Sequence, residues 1–172
     1  MSHDPAPTAE RLHATCIAFG EFGVLLIGPS GSGKSDLALR LIDEGGFGIG
    51  TSRLEAALVS DDQVLLQRQG DEVMASAPAT IAALLEVRGL GIVRPARRKD
   101  RVPLRLIVRL VERQAIERMP DPAFPAATLL GIEIPEISLC AKDVSAPAKV
   151  RCALQIITGT GRLIGFSDRN SS

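Results

Sequence analysis

Four groups of residues in this chain have the types and spacing to act on phosphate. The first is Gly28-Pro29-Ser30-Gly31-Ser32-Gly33-Lys34-Ser35, which fits the pattern G-x-x-x-x-G-K-[ST]. Its glycines let the backbone curl so that N–H groups converge on phosphate oxygens. Lys34 then sets a positive charge on the β and γ phosphates, and the Ser35 hydroxyl can hold Mg²⁺. The second is Asp61-Asp62, closing the apolar run Ala56–Ser60. In a phosphate-loop protein, an acid at a strand end is where a Mg²⁺-linked carboxylate belongs. Adjacent strand residues point to opposite sides, so the two acids need not share a job. A polar turn between strands is the plainer alternative. The third is Glu86 with Arg88, two apart and hence on one face if extended, next to Gly89 and Gly91. The fourth is His13, and a lone histidine is more often structural than functional.

The first group needs a strand before it and a helix after it. Gly23–Ile27 is an apolar run suited to a buried strand, and Asp36–Glu44 carries Leu37, Ala38, Leu41 and Ile42 at helical spacing. Gly45-Gly46 is a suitable stop. Leu12–Phe19 reads as one strand, turned at Glu21-Phe22-Gly23 into an antiparallel pair with the next, which sets His13 beside the phosphate loop. Val64–Arg68 and Val73–Ala77 flank Gln69-Gly70-Asp71-Glu72 as a hairpin. That hairpin predicts a mixed sheet, since a purely parallel one would place a helix there. Ala79–Leu85 reads as a short helical segment, Val102–Val111 as a strand of period two, and Arg113–Leu130 as a proline-rich loop. Ile132–Ile134 and Glu136–Cys140 read as short strands around Pro135. A final helix runs to Thr158, with Ser145 as N-cap, Pro147 in its first turn, and Val150, Leu154 and Ile157 on its apolar face. The expected organisation is a tail over 1–10, one domain over 11–158 and a second tail over 159–172. The basic cluster Arg94, Arg97, Arg98, Lys99 and Arg101 reads equally well as a solvated loop or a docking patch.

Composition narrows the class. With 172 residues, 45% hydrophobic, the chain can bury a sizeable core of Leu, Ile, Val and Ala, because it has no Trp or Tyr. Formal net charge is zero, which argues against a general nucleic-acid binder. Cys16, Cys140 and Cys152 are far apart, without metal-ligand spacing, and read as reduced buried thiols. No secretory leader or run of about 20 apolar residues is present, so the expectation is a cytoplasmic protein without a membrane role.

In order, His13, Gly28–Ser35, Leu58-Val59-Ser60-Asp61-Asp62 and Leu85-Glu86-Val87-Arg88-Gly89-Leu90-Gly91-Ile92 resemble the catalytic domain of HPr kinase/phosphorylase. That bacterial family phosphorylates a serine of HPr, a small carrier of the phosphotransferase system. Specific motifs cover Leu12 to Ile92, and a looser likeness runs to Leu139. The Glu-x-Arg-Gly-Leu-Gly-Ile stretch looks like the family signature, carried by Glu86, Arg88, Gly89 and Gly91. The resemblance implies an α/β fold with a P-loop-containing mixed sheet flanked by helices, like that of phosphoenolpyruvate carboxykinases. It implies ATP and Mg²⁺ as cofactors, an HPr-like carrier as partner and a homo-oligomer. By resemblance, Gly28 to Ser35 cradle the phosphates, with Lys34 catalytic. Asp61 looks like the general base, and the acid of the reverse reaction, phosphorolysis to pyrophosphate. Ser35, Asp62 and Glu86 would surround Mg²⁺, His13 would orient the aspartate, and Arg118 matches the arginine of a substrate loop. The chain resembles a short form without the family's N-terminal domain. It has Asp36 where Glu is usual, and Ala141-Lys142-Asp143 where a Gly-Arg-Asn segment belongs. Two other classes fit the phosphate loop: a small-molecule or nucleotide kinase, and a phosphate-sensing module without catalysis.

Overall fold

The computed structural model describes residues 9–120 and 123–161. Most of the two expected tails, 1–8 and 162–172, lies outside them, as does Pro122 of the proline-rich segment. The chain begins its described part in a strand, β1 (Ala9–Leu12), so Ala9 and Glu10 pair into the sheet. β2 (Thr15–Phe19) and β3 (Phe22–Ile27) form the antiparallel pair expected from the tight turn between them. The single strand predicted over Leu12–Phe19 is two. β1 pairs with the later strand over Val64–Gln69 while β2 pairs with β3 and with the strand over Ala56–Ser60, and His13-Ala14 span the change of direction.

Helix α1 (Lys34–Asp43) starts two residues earlier than its apolar periodicity suggests, because Lys34 and Ser35 already lie in its first turn. Leu37, Ala38 and Leu41 are fully buried. β4 (Ala56–Ser60) follows, then the hairpin β5 (Val64–Gln69) and β6 (Glu72–Ser76). Only a 3-10 turn, Ala79–Ile81, forms where a helical segment was expected. The chain is extended again by β7 (Leu85–Val87), paired with β8 (Gly91–Val93). β9 (Arg101–Leu110) is the hub. It pairs antiparallel with β6, and parallel with β3 and with the later strand over Ile132–Leu139.

The proline-rich segment is not all loop. A 3-10 turn spans Arg113–Ala115, and β10 (Ala126–Leu129) pairs with β11 (Ile132–Leu139). β11 is one strand where two were expected. Its partner changes at Pro135, from β10 (Ala126 opposite Pro135) to β9 (Ile107 opposite Glu136), so the missing N–H costs the ladder little. Helix α2 (Ala146–Ile157) follows Ser145, with Pro147 in its first turn as expected. Ser145 makes no side-chain capping bond.

The sheet runs β1-β5-β6-β9-β3-β2-β4, with β11 and β10 joined through β9. It is mixed, as the β5–β6 hairpin predicted. One apolar cluster lies between the sheet and the two helices, around Ile17, Leu26, Leu37, Leu106 and Leu154. The other fills the opposite face, where the curled sheet closes on Leu25, Val59, Leu66, Val102 and Ile107. Two polar side chains of α2 are buried in the first layer and satisfied there. Arg151 donates to the Leu41, Leu54 and Glu44 carbonyls. Gln155 holds the glycine-rich connector through the Phe47 carbonyl (2.8 Å) and the Ile49 N–H (2.9 Å).

Candidate active site

β3, β9 and β11 are parallel and end on the same side of the sheet, where Ile27 passes into the Gly28–Ser35 loop. An open sheet offers its ligand crevice at such carboxyl ends. Gly33 precedes α1 with φ +97°, and a Cβ there would sit 2.8 Å from that of Ala141, so this position admits only glycine. The loop closes through Ser32 N–H to the Pro29 carbonyl (3.1 Å), and α1 opens with Leu37 N–H to the Gly33 carbonyl (2.9 Å). Ser30, Gly31 and Gly33 of the loop and Lys34, Ser35 and Asp36 of the first helical turn line one opening, and a glycine-rich loop leading into a helix N-terminus is the arrangement that binds phosphate.

Lys34 is folded back, its Nζ donating to the Gly28 (2.9 Å) and Pro29 (3.1 Å) carbonyls. Burial pulls its ammonium below the ordinary lysine value, against the opposing pull of Asp61 and Asp62. A phosphate entering the loop replaces two neutral acceptors with a charged one, and charge-assisted bonds are the stronger.

The two aspartates point apart, as their adjacency predicts. Asp61 is buried, and both its oxygens are engaged. Oδ1 accepts from Thr15 Oγ1 (2.6 Å), the Ser35 hydroxyl lies 2.9 and 3.0 Å from the two oxygens, and Oδ2 accepts from Glu86 N–H (3.2 Å). Asp62 has a left-handed backbone, φ +66°, and a side chain 70% exposed, with Oδ1 3.1 Å from His13 Nδ1. An unusual φ on a non-glycine residue is strain that the surroundings must hold in place.

These groups line one cavity of about 330 Å³, with Ser30, Gly31 and Gly33 on its floor and Glu86 and Arg88 on the β7–β8 wall. Gly28, Pro29 and Ser32 shape the loop from beneath without lining it. Gly89 (φ +88°) and Gly91 (φ +118°) turn the wall's hairpin instead of facing the cavity. Arg118 is exposed and does not line the cavity. Asp61, expected as the general base, is buried and already accepts from Thr15, Ser35 and Glu86 N–H. Thr15, on the cavity wall, was not singled out from sequence, where it is one residue within an apolar run.

The donor set suits a magnesium ion shared with phosphate. Mg²⁺ keeps several waters and uses one or two carboxylates plus phosphate oxygens, not an all-protein cage. Among the described residues no cluster of three or more His, Cys, Asp or Glu forms such a cage. Ser35 and Glu86 line the cavity beside the phosphate loop, which is the kind of partial oxygen-donor set such an ion uses.

Two of the five members of the basic cluster are paired with acids. Arg97 pairs with Glu55 (3.2 Å) and Lys99 with Glu21 (2.7 Å), while the backbone of 97–99 bonds to Leu58 at the β4 edge. It serves as an edge cover.

The sequence family described as the HPr Serine kinase C-terminal domain matches residues 6–151. An HPr kinase/phosphorylase of Burkholderia lata is 35% identical, with 98% of this chain and 53% of that protein aligned. One of Mycoplasmopsis pulmonis is 36% identical over 83 residues, 48% of this chain and 24% of that protein. The chain thus spans about half the length of the curated relatives it matches. Among solved structures, that of the Hpr(Ser) kinase/phosphatase from Coxiella burnetii aligns with a TM-score of 0.70 at 22% identity, covering 88% of this chain and 91% of that one. That likeness is one of fold: a P-loop set in a mixed sheet.

Proposed function

Since this chain belongs to the HPr serine kinase C-terminal domain family, we propose that it transfers the γ-phosphate of ATP to a serine of an HPr-like phosphocarrier protein. One observation carries the reading: Asp62, exposed and paired with His13 at 3.1 Å, on the rim of the cavity that holds Lys34. Phosphoryl transfer needs in-line positioning, charge neutralisation and a proton acceptor for the hydroxyl. The loop N–H groups and Lys34 provide the first two. We assign the third to Asp62 in place of Asp61, because the Asp62 side chain is 70% exposed while Asp61 is buried under three donors. His13 orients it. The serine hydroxyl gives its proton to Asp62 as its oxygen bonds to the γ-phosphorus, and ADP leaves.

Asp61 then belongs with Ser35 and Glu86 on the metal side. Ser35 and Glu86 would hold Mg²⁺ directly, and Asp61 would hold Ser35. The bound ion would supply positive charge at the β and γ phosphate oxygens. Arg88, on the same wall, adds a cation, whereas Arg118 has no role in the reading. In reverse, an inorganic phosphate oxygen attacks the seryl phosphorus. The serine oxygen leaves with the proton from Asp62, and pyrophosphate forms. An ATP-using enzyme of this kind acts in the cytoplasm.

The test is a transfer assay with ATP, Mg²⁺ and purified HPr-like carriers, run backward with phosphate. Phosphoserine on a carrier is the expected result. Label on a small acceptor alone would mark a small-molecule kinase, and nucleotide binding without transfer a sensing module.

A further inference from the structure

We infer that Thr15 is a positioning residue whose hydroxyl holds Asp61, and through it Ser35, in the arrangement that receives a metal–nucleotide complex. The inference rests on the reading that Mg²⁺ and nucleotide bind this loop, and goes beyond it by assigning a part to a residue outside every motif.

Thr15 is wholly buried, and its bond to Asp61 Oδ1, at 2.6 Å, is shorter than the Ser35 and Glu86 N–H contacts to that carboxylate. A buried carboxylate without enough donors is costly, so each of these three contacts matters to where Asp61 sits. The backbone departs from regular pairing to make this one. Between β2 and β4, Ile17 lies opposite Leu58 but Cys16 lies opposite Ser60, so Val59 is an extra, bulged residue. Without that bulge Cys16 would face Val59 and Thr15 would face Ser60. With it, the antiparallel register carries Thr15 to Asp61. The bulge also changes the alternation of β4. Leu58 faces the helix layer and Val59 the opposite layer, yet Asp61, an odd number of residues after Leu58, again reaches the helix side at Ser35. Bulges often re-aim a side chain beside an active site.

The consequence concerns the metal. A Ser35 hydroxyl that offered a lone pair to a cation would keep its hydrogen and still donate it to Asp61. Thr15 and Glu86 N–H are then what keep Asp61 from following. Outer-shell partners of this kind are worth roughly 10–100-fold in metal affinity.

The experiment compares ADP binding by titration calorimetry in Mg²⁺ and in EDTA for wild type, Thr15→Val and Thr15→Ser, with each variant's apo melting temperature. Thr15→Val keeps the shape and removes the donor. The expected result is unchanged ADP affinity in EDTA and a loss of about tenfold or more in the Mg²⁺-dependent gain, restored to within about twofold by Thr15→Ser. If Thr15→Val does not fold, Thr15→Ser and Thr15→Ala carry the comparison, with Ala expected to lose the gain and Ser to keep it. An equal Mg²⁺-dependent gain in the hydroxyl-free variant overturns the inference, as does equal weakening in EDTA and Mg²⁺, which marks a merely structural role. No acceptor protein is present, so absence of serine phosphorylation sinks the kinase reading without touching this result.

Discussion

Asp61 and Asp62 differ by one position and by almost everything else. One is buried under three donors, and the other is exposed and paired with a histidine. Exchanging each for asparagine separates their parts. Asp62→Asn removes the proton acceptor and is expected to lower the transfer rate by about 10²–10⁴-fold with ADP binding intact. Asp61→Asn is expected to weaken Mg²⁺-dependent binding first. The family resemblance gives the base as Asp61, and adjacency alone cannot say which acid turns inward. Three donors and a left-handed φ decide that, and none of them is a property of the dipeptide. A simpler residue-scale expectation concerns Cys16. Full burial pushes its thiol well above the ordinary value, so little thiolate forms at neutral pH. A disulfide-exchange reagent should leave Cys16 unmodified in the folded protein and reach it on unfolding. Rapid modification of native Cys16 would contradict its place in the core.

The elements that could be read from sequence are those whose burial is one-sided. α1 and α2 show their apolar stripes, and the β5–β6 hairpin announces itself by its turn. What could not be read is where pairing slips. β9 looks like unbroken alternation, but Val102 and Leu104 face one layer and Leu106 and Val108 the other. A bulge at Arg105 explains this: Gly23 lies opposite Leu104 and Val24 opposite Leu106. The β2–β4 bulge hid Thr15 in the same way. The segment leading into α2 offers a test at this scale. Asp143 accepts from Lys149 and Arg113, and the Lys149 bond, with the nearby guanidinium of Arg113, holds its carboxyl below the usual aspartate range. A carboxyl lowered on folding stabilises the fold above its unfolded value, near 3.9, and loses that contribution as pH falls through the folded value. Asp143→Asn should therefore lower the melting temperature at neutral pH and little at strongly acidic pH. An equal loss at both would remove the ion pairs from the account.

At the scale of the molecule, the curled mixed sheet is a device for bringing distant stretches to one edge. His13, Lys34, Asp61 and Glu86 meet because β2, β3, β4 and the β7–β8 hairpin end around the head of α1. The order of motifs, through the family resemblance, made that convergence legible, and the sequence itself shows Lys34 opening α1 and Asp61 following β4. Arg118 was not legible, because a proline-rich loop carries no periodicity to place it. The most direct measurement of the whole account is mass-spectrometric detection of phosphoserine on an HPr-like carrier after incubation with ATP and Mg²⁺, for wild type and Asp62→Asn side by side. The account predicts phosphoserine with the wild type and nearly none with the variant, both binding ADP alike. Equal phosphoserine from the two proteins, or none from a wild type that binds ADP, would contradict it.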